Sequence, residues 1–458
     1  MSGSVGKQAP ADRDSSRDRW AWLRVPEANL AVAIVAVVGL IYVLDPGPWH
    51  TLDPSLSRPF FSQYSLQNLS HNAALYGILA LGAAVVIIAG GIDLSIGSVV
   101  ALSAVVSARL MTSWLPEIRE TGSWGTLGLI GATVLFSTSS GIMARRIHPR
   151  ALPLPGWVPG VALAVTLIPW FFGVGPGGVL AMVALLLAIT ALGLLVGLSL
   201  GLRRGAVALA IASGVVTLWG ILTEPGKADN LPIGIVVAGC GLTMLMGLTI
   251  GVTHAAMINY FQLPAFIATL ATLAGFRSLA RILSREQTIT VFSENFRVFG
   301  KDFQYTIPIF LAVAAIVSIV MGRMVLGRHL YALGGNEAAA RLSGLPTRRL
   351  KTIAYALSGL LAALGGLLFF GNTGQADSRM GVTYELFAIT AAVVGGCSLA
   401  GGVGSIRGTV LGLILIRIVI TGTGLVVKNI SPSQIEGLVL GVVVVLAVAF
   451  NQRFRLRS

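Results

Sequence analysis

Long apolar stretches recur from one end of this 458-residue chain to the other, and they restrict its possible folds more than any other feature. About twenty apolar residues in a helix cross the hydrocarbon core of a bilayer. Only 11% of the residues are charged and 55% are hydrophobic, whereas about a quarter are charged in soluble domains. The sequence therefore predicts an all-α, polytopic transmembrane helical bundle.

Reading these stretches against proline, glycine and charged residues gives the positions of the spans. We predict fourteen, at 29–44, 72–90, 95–111, 124–143, 157–173, 178–200, 205–222, 232–252, 264–283, 305–322, 351–371, 386–397, 405–424 and 436–450. Glycine-rich breaks occur at Gly90–Gly91 and between Gly395 and Gly402. Non-helical backbone at membrane depth is tolerated where it is buried in protein or lines a cavity, so these breaks predict broken or re-entrant segments.

The net charge of +14 comes from 32 lysines and arginines against 18 acidic residues. No basic patch is interleaved with aromatic residues, so we expect no nucleic acid partner. More than half of the basic residues fall in alternate segments between spans, and the positive-inside rule then places the N-terminus in the cytoplasm. The segment 284–304 is an exception, because it is predicted to be external yet carries basic residues up to Lys301.

One polar segment on the predicted cytoplasmic side has the local signals of a short helix. Asn336 is a good N-cap, Glu337 complements the positive helix end, and alanines favour helix as far as Arg341. Gly344 then provides a C-terminal stop. A helix of about two turns is unstable alone, so it either docks on a partner or serves as an interfacial connector.

The sequence resembles the permease subunits of ribose/xylose-type sugar ABC importers in four stretches. They are Gly327 to Gly344, Gly91 to Gly97, Leu263 to Leu270, and Tyr384-Glu385-Leu386 leading into Gly395 to Gly402. The resemblance implies that the short helix is the coupling helix that seats in an ATPase subunit. Its coupling residues are then Gly335, Asn336, Glu337, Ala338, Ala339, Arg341, Ser343 and Gly344.

The same resemblance implies a binding-protein-dependent importer in the bacterial plasma (inner) membrane. Its solute is a ribose- or xylose-like monosaccharide or a related small polar solute, moved by alternating access. The implied partners are a second copy of the chain, a cytoplasmic ABC ATPase, a periplasmic or extracellular sugar-binding protein and the lipid bilayer. No phosphate-binding Gly-x-x-x-x-Gly-Lys-Ser/Thr loop occurs, so ATP is expected on another chain and no cofactor on this one.

The resemblance also divides the chain, because about ten spans match the family plan and a four-helix insert interrupts them. The expected parts are a polar cytoplasmic tail, 1–28, the N-terminal transmembrane part, 29–111, the insert, 112–231, the central transmembrane part, 232–322, the cytoplasmic coupling loop, 323–351, and the C-terminal transmembrane part with its basic tail, 352–458. An even number of inserted crossings preserves the topology of everything downstream.

Polar residues in or beside the apolar segments are candidates for the translocation path, since an ionisable group in a membrane is costly. They are Asp93, Ser95, Asn372, Glu385 and Ser398. Asp93 and Glu385 each stand near a predicted helix start, so capping of free backbone amides is an alternative role for both. The five histidines are scattered, and we predict no metal site.

Two other classes of function stay open from the residues alone. An ion-gradient-driven secondary transporter would use Asp93 and Glu385 as relay groups. A membrane receptor or scaffold would bind partners without moving a solute. An enzyme is the least favoured class, because the sequence offers no nucleophile–base pair.

Overall fold

The computed structural model describes residues 26–44, 59–114, 231–426, 436–442 and Val445. Their helices are α1 (Pro26–Leu44), α2 (Gln63–Ile88), α3 (Ile96–Arg109), α4 (Ile233–Tyr260), α5 (Ala265–Ser284), α6 (Glu294–Lys301), α7 (Phe303–Gly322), α8 (Val325–Gly335), α9 (Glu337–Leu342), α10 (Thr347–Thr373), α11 (Tyr384–Val394) and α12 (Ile406–Val426). Two short strands, β1 (Ile289–Thr290) and β2 (Gln375–Ala376), pair antiparallel. A further helical stretch covers 436–442.

Eight of these helices are long and apolar enough to cross a membrane. They are α1, α2, α3 with the turn after it, α4, α5, α7, α10 and α12. Each coincides with a span that the sequence predicts, so the multi-pass, all-α architecture is confirmed for this part of the chain. The predicted spans between 124 and 222, and most of 436–450, lie outside the described residues.

The predicted span at 386–397 needs correction. Its helix, α11, has 11 residues and is about 16 Å long, whereas the hydrocarbon core is about 30 Å thick. The helix ends where Gly396 takes a left-handed φ of 93°. A complete crossing therefore also requires the non-helical turn 377–383 that precedes α11.

The core forms around α10, which packs on α2, α3 and α4. Glycines allow two of these helices to approach closely, because a Cβ on Gly359 of α10 would lie 2.9 Å from the Gly251 amide nitrogen of α4. In α2, 94% of the apolar window is buried, against 22% in α5 and in α7. The last two helices therefore lie at the periphery of the folded chain.

The bundle has two distinguishable ends. Helix α10 starts beside α9 and finishes at β2, so we call its two ends the α9 end and the β end. Asn372, a path candidate from the sequence, lies in the last turn of α10, which continues to Thr373, and Gln375 is in β2. The non-helical turn 377–383 begins only after this strand.

Candidate coupling helix and translocation site

Helix α9 has the local geometry that its sequence predicts. The Asn336 side chain accepts a hydrogen bond from the Ala339 amide at 2.9 Å, which caps the helix start. Gly344 takes a left-handed φ of 81°, and the helix has ended by Ser343. The predicted short helix is confirmed, but the sequence missed α8, which occupies the first half of the same segment.

The α9 surface is exposed apart from Ala340, and the Leu342 side chain is 88% exposed. Glu337 forms a salt bridge with Lys351 of α10, with Nζ and Oε1 2.7 Å apart. Both side chains are partly solvated, so this pair contributes at most about 1 kcal/mol to stability. Its geometric effect is to hold the first turn of α9 against the start of α10.

Four glycines join the end of α8 to both glycine-rich breaks, and we call their contact the glycine junction. A Cβ on Gly334 would fall on the Ile88 carbonyl oxygen and lie 2.6 Å from the Gly402 amide nitrogen. A Cβ on Gly401 would lie 2.7 Å from the Gly90 Cα. The Gly402 amide also donates to the Ile88 carbonyl at 2.9 Å. The two breaks therefore touch each other and the segment leading into α9.

Tyr331 provides a second connection between α8 and the later break. Its hydroxyl donates to the Gly404 carbonyl at 2.8 Å. Burial raises the pKa of Tyr331, so the hydroxyl keeps the proton that this bond needs. Tyr331 thus connects α8 to the segment just before α12, in addition to the contacts of the glycine junction.

The Asp93 carboxylate lies in the first break and is only 2% exposed. It accepts hydrogen bonds from the Ser95 amide at 3.0 Å and the Ser95 hydroxyl at 2.6 Å. Its other oxygen accepts from Ser358 of α10 at 2.7 Å. Asp93 thus bonds the amide of Ser95, the N-cap residue that precedes the helical residues of α3, and three short bonds offset the cost of burying the carboxylate. No sequence pattern had pointed to Ser358 as a partner of Asp93.

Polar groups from three helices surround the same break. Thr269 of α5 and Tyr355 of α10 both donate to the Ile92 carbonyl, at 3.3 and 3.4 Å. His254 of α4 is fully buried and lies 2.7 Å from the Thr272 hydroxyl. The break is therefore held by α5 and α10, which satisfy the Ile92 carbonyl, while His254 of α4 bonds to α5.

Arg277 of α5 holds the non-helical turn before α11. Its guanidinium donates to the Ser378, Met380 and Gly381 carbonyls at 3.2, 2.7 and 3.3 Å. The arginine therefore satisfies three backbone carbonyls of this turn at once. No role for Arg277 was predicted from the sequence.

The candidate path residues fall into separate places. Glu385, at the start of α11, packs on Gly97 in the first turn of α3, so it lies near the helix that Ser95 begins. Its Oε2 atom is buried and accepts no hydrogen bond from the described residues. Ser398 is buried in the second break, at the α9 end, where its hydroxyl accepts from the Ala400 amide. Asn372 lies apart from them, in the last turn of α10 at the β end.

A buried arginine on α12 is another residue that the sequence reading missed. Arg417 is 8% exposed, and its guanidinium lies over the Tyr76 ring at 4.6 Å. It also forms a salt bridge with Glu436 at 3.5 Å. Within the described residues, no group of three or more His, Cys, Asp or Glu side chains is placed to hold a metal ion.

A family model described as the permease component of branched-chain amino acid transport systems matches residues 65–174 and 177–448. The chain belongs to this permease family. The matched residues include most of 112–231, so the family match does not mark this region as an insert. No solved structure matches the chain.

Similar curated proteins are import permeases for sugars. The galactose/methyl galactoside import permease of Haemophilus influenzae is 33% identical over 59% of this chain and 83% of its own length. The ribose import permease of the same organism is 34% identical over 48% and 70%. The L-arabinose transport permease of Escherichia coli is 35% identical over 43% and 60%.

The permease family decides between the classes of function that the residues left open. A permease component moves the solute, while ATP is hydrolysed by a separate subunit, so this permease is a transport subunit and not an enzyme. The ion-gradient transporter built on Asp93 and Glu385 is not supported, because the relatives are import permeases of ATP-driven systems. The apolar helices and the family together make it a multi-pass membrane protein.

Proposed function

We propose that this permease imports a monosaccharide or a related small polar solute by alternating access. It works as two copies, with a cytoplasmic ABC ATPase and an external solute-binding protein. The α9 end faces the cytoplasm and the β end faces the binding protein. The relatives named for galactose, ribose and arabinose support a monosaccharide as the solute.

The observation that carries the proposal is the connection of α9 to both breaks. Helix α9 is exposed, capped and too short to stand alone, as a docking element must be. The glycine junction joins it through α8 to the two breaks, where Asp93, Ser95 and Ser398 lie. An ATPase that moves α9 therefore displaces backbone beside these path candidates. Energy enters only through the different contacts that the partners make in each state.

The path itself is proposed to run past Asp93, Ser95, Glu385 and Ser398. The buried Oε2 atom of Glu385, which has no hydrogen-bond donor among the described residues, supports a solute hydroxyl as its partner. Asn372, at the β end, then lies on the side where the binding protein releases the solute.

Reconstituted transport tests the function directly. The permease, the ATPase and the binding protein are placed in liposomes, and uptake of labelled ribose, xylose, arabinose and galactose is measured with and without ATP. We expect uptake that needs both ATP and the binding protein. Uptake by the permease alone, driven by a proton or sodium gradient, would overturn the proposal.

Variants on α9 test the coupling assignment. We expect Glu337→Ala and Arg341→Ala to lower uptake per ATP hydrolysed by about 5- to 150-fold, the usual range for a lost coupling between sites. Arg349→Ala is the matched control, because Arg349 is an exposed arginine at the same end but lies on α10. Equal uptake per ATP in all three variants would contradict the role of α9.

A further inference from the structure

A cleft opens on the side of the bundle at the α9 end, between α7 and α12. Its polar chamber has a volume of about 590 Å³. Glu27 in the first turn of α1 and Tyr331 in the second half of α8 complete its wall. The charged and hydroxyl groups that line it are Glu27, Arg323, Arg407, Ser318, Tyr331 and Ser405.

An apolar groove of about 630 Å³ adjoins this chamber and shares Glu27, Ser318 and Arg407 with it. On α7 the groove extends from Ser318 to Leu311, which is about 10 Å along the helix axis. The small side chain of Ala314 leaves the space between the two helices open. The cleft thus combines a polar chamber at one end of the bundle with an apolar groove that extends toward its middle.

The charges of the polar chamber favour a phosphate group. Arg323 and Arg407 are both exposed, and neither forms a salt bridge within the described part of the chain. The Glu27 carboxylate accepts a hydrogen bond from the Ser405 hydroxyl at 2.8 Å. Two positive groups and one negative group leave one positive charge in excess. Arginine binds phosphate oxygens with paired hydrogen bonds, and basic pockets between membrane helices bind lipid headgroups.

We propose that this cleft binds one anionic glycerophospholipid, with its phosphate between Arg323 and Arg407 and an acyl chain in the groove beside Ala314. A headgroup of charge −1, as in phosphatidylglycerol, brings the chamber to neutrality. Zwitterionic phosphatidylethanolamine leaves the positive charge uncompensated, and inorganic phosphate leaves the groove unfilled. Comparing headgroups therefore distinguishes an anionic from a zwitterionic lipid, and the acyl chain distinguishes a lipid from inorganic phosphate. The proposal holds for either leaflet, so it does not depend on the orientation proposed above.

Native mass spectrometry of the full-length detergent-solubilised permease, titrated with phosphatidylglycerol, phosphatidylethanolamine or inorganic phosphate, tests the proposal. We expect phosphatidylglycerol to bind more tightly than phosphatidylethanolamine. In the double variant Arg323→Gln/Arg407→Gln its affinity falls by about 25-fold, since each basic group near a membrane surface contributes about fivefold. Arg349→Gln, an exposed arginine outside the cleft, should stay within about twofold.

A second variant separates a lipid from a soluble anion without changing the charge. Ala314→Trp fills the groove and should weaken phosphatidylglycerol binding while leaving Arg323 and Arg407 in place. Unchanged phosphatidylglycerol binding in the double arginine variant would overturn the proposal. So would equal affinity of the wild-type chain for the two lipids. Displacement of the lipid by millimolar inorganic phosphate, with Ala314→Trp binding normally, would assign the chamber to a soluble anion. The lipid comparison on the wild-type chain holds even if a variant fails to fold.

Discussion

Replacing Gly334 with alanine tests the transmission of movement from α9 to the breaks. A Cβ at this position would overlap the Ile88 carbonyl oxygen and would lie 2.6 Å from the Gly402 amide nitrogen. Both obstacles are backbone atoms, so no side chain can rotate away to relieve the overlap. The Gly402 amide also donates a hydrogen bond of 2.9 Å to the Ile88 carbonyl across the junction. The added methyl group must therefore separate the first break from the second.

The neighbouring glycine provides a matched control for Gly334. A Cβ on Gly335 would meet no atom within 4 Å, and both glycines lie in the last turn of α8. Alanine is favoured over glycine in a helix by about 1 kcal/mol, so Gly335→Ala should be neutral or slightly stabilising. Overpacking costs about 1–3 kcal/mol, and loss of the junction hydrogen bond adds about 1 kcal/mol. The two variants should therefore differ by about 2–4 kcal/mol in stability.

The decisive measurement is sugar uptake per ATP hydrolysed in proteoliposomes, with folded protein quantified by size-exclusion chromatography and thermal unfolding in detergent. Gly334→Ala should hydrolyse ATP but transport at least about fivefold less sugar per ATP, as expected for the loss of about 1 kcal/mol of coupling. Although the resemblance places Gly335 among the coupling residues, the added methyl group meets no atom within 4 Å, so Gly335→Ala should transport as wild type. If both variants show the same ratio, the glycine junction does not transmit the ATPase movement.

Two further predictions concern the polar contacts of the breaks. Arg277→Gln should lower the thermal unfolding midpoint far more than Arg281→Gln, because only Arg277 supports the turn before α11 with three charged hydrogen bonds, each worth about 1.5–3 kcal/mol. Equal midpoints would contradict this role. Ser358→Ala removes one partner of the buried Asp93 carboxylate and should cost about 1–3 kcal/mol, measured as the loss of unfolding free energy. A neutral effect would show that water replaces the hydroxyl.

Local sequence signals were sufficient for α9. The N-cap Asn336, the run of alanines and the stop at Gly344 act within one or two turns, so the helix and its bounds could be read from the sequence. Apolar length located the eight described spans for the same reason, because the bilayer sets a fixed length for a helix. The local signals alone did not decide whether the helix docks on a partner or only connects two spans. The docking role came from the resemblance in four stretches.

Long-range contacts explain what the sequence did not reveal. Ser358 reaches Asp93 across 265 positions of the chain, and Arg277 reaches Met380 across 103. No periodicity or capping pattern encodes such pairs, since each depends on how two helices are rotated against each other. The length of α11 was overestimated for a related reason. Its apolar run continues past Val394, but the contacts of the second break determine where the helix ends.

The described contacts also show at which end of the bundle the chain lies on either side of 115–230. The Arg109 side chain, at the end of α3, donates to the Leu283 carbonyl at 2.9 Å. On the other side of 115–230, the Leu231 carbonyl accepts a hydrogen bond from the Asn295 side-chain amide at 2.9 Å. Leu283 and Asn295 both flank β1, so the chain departs from the β end and returns to the β end. The residues on either side of 115–230 thus lie at the same end of the bundle because each is tied to the segments that flank β1. The four inserted spans stay a prediction from the apolar length of the sequence.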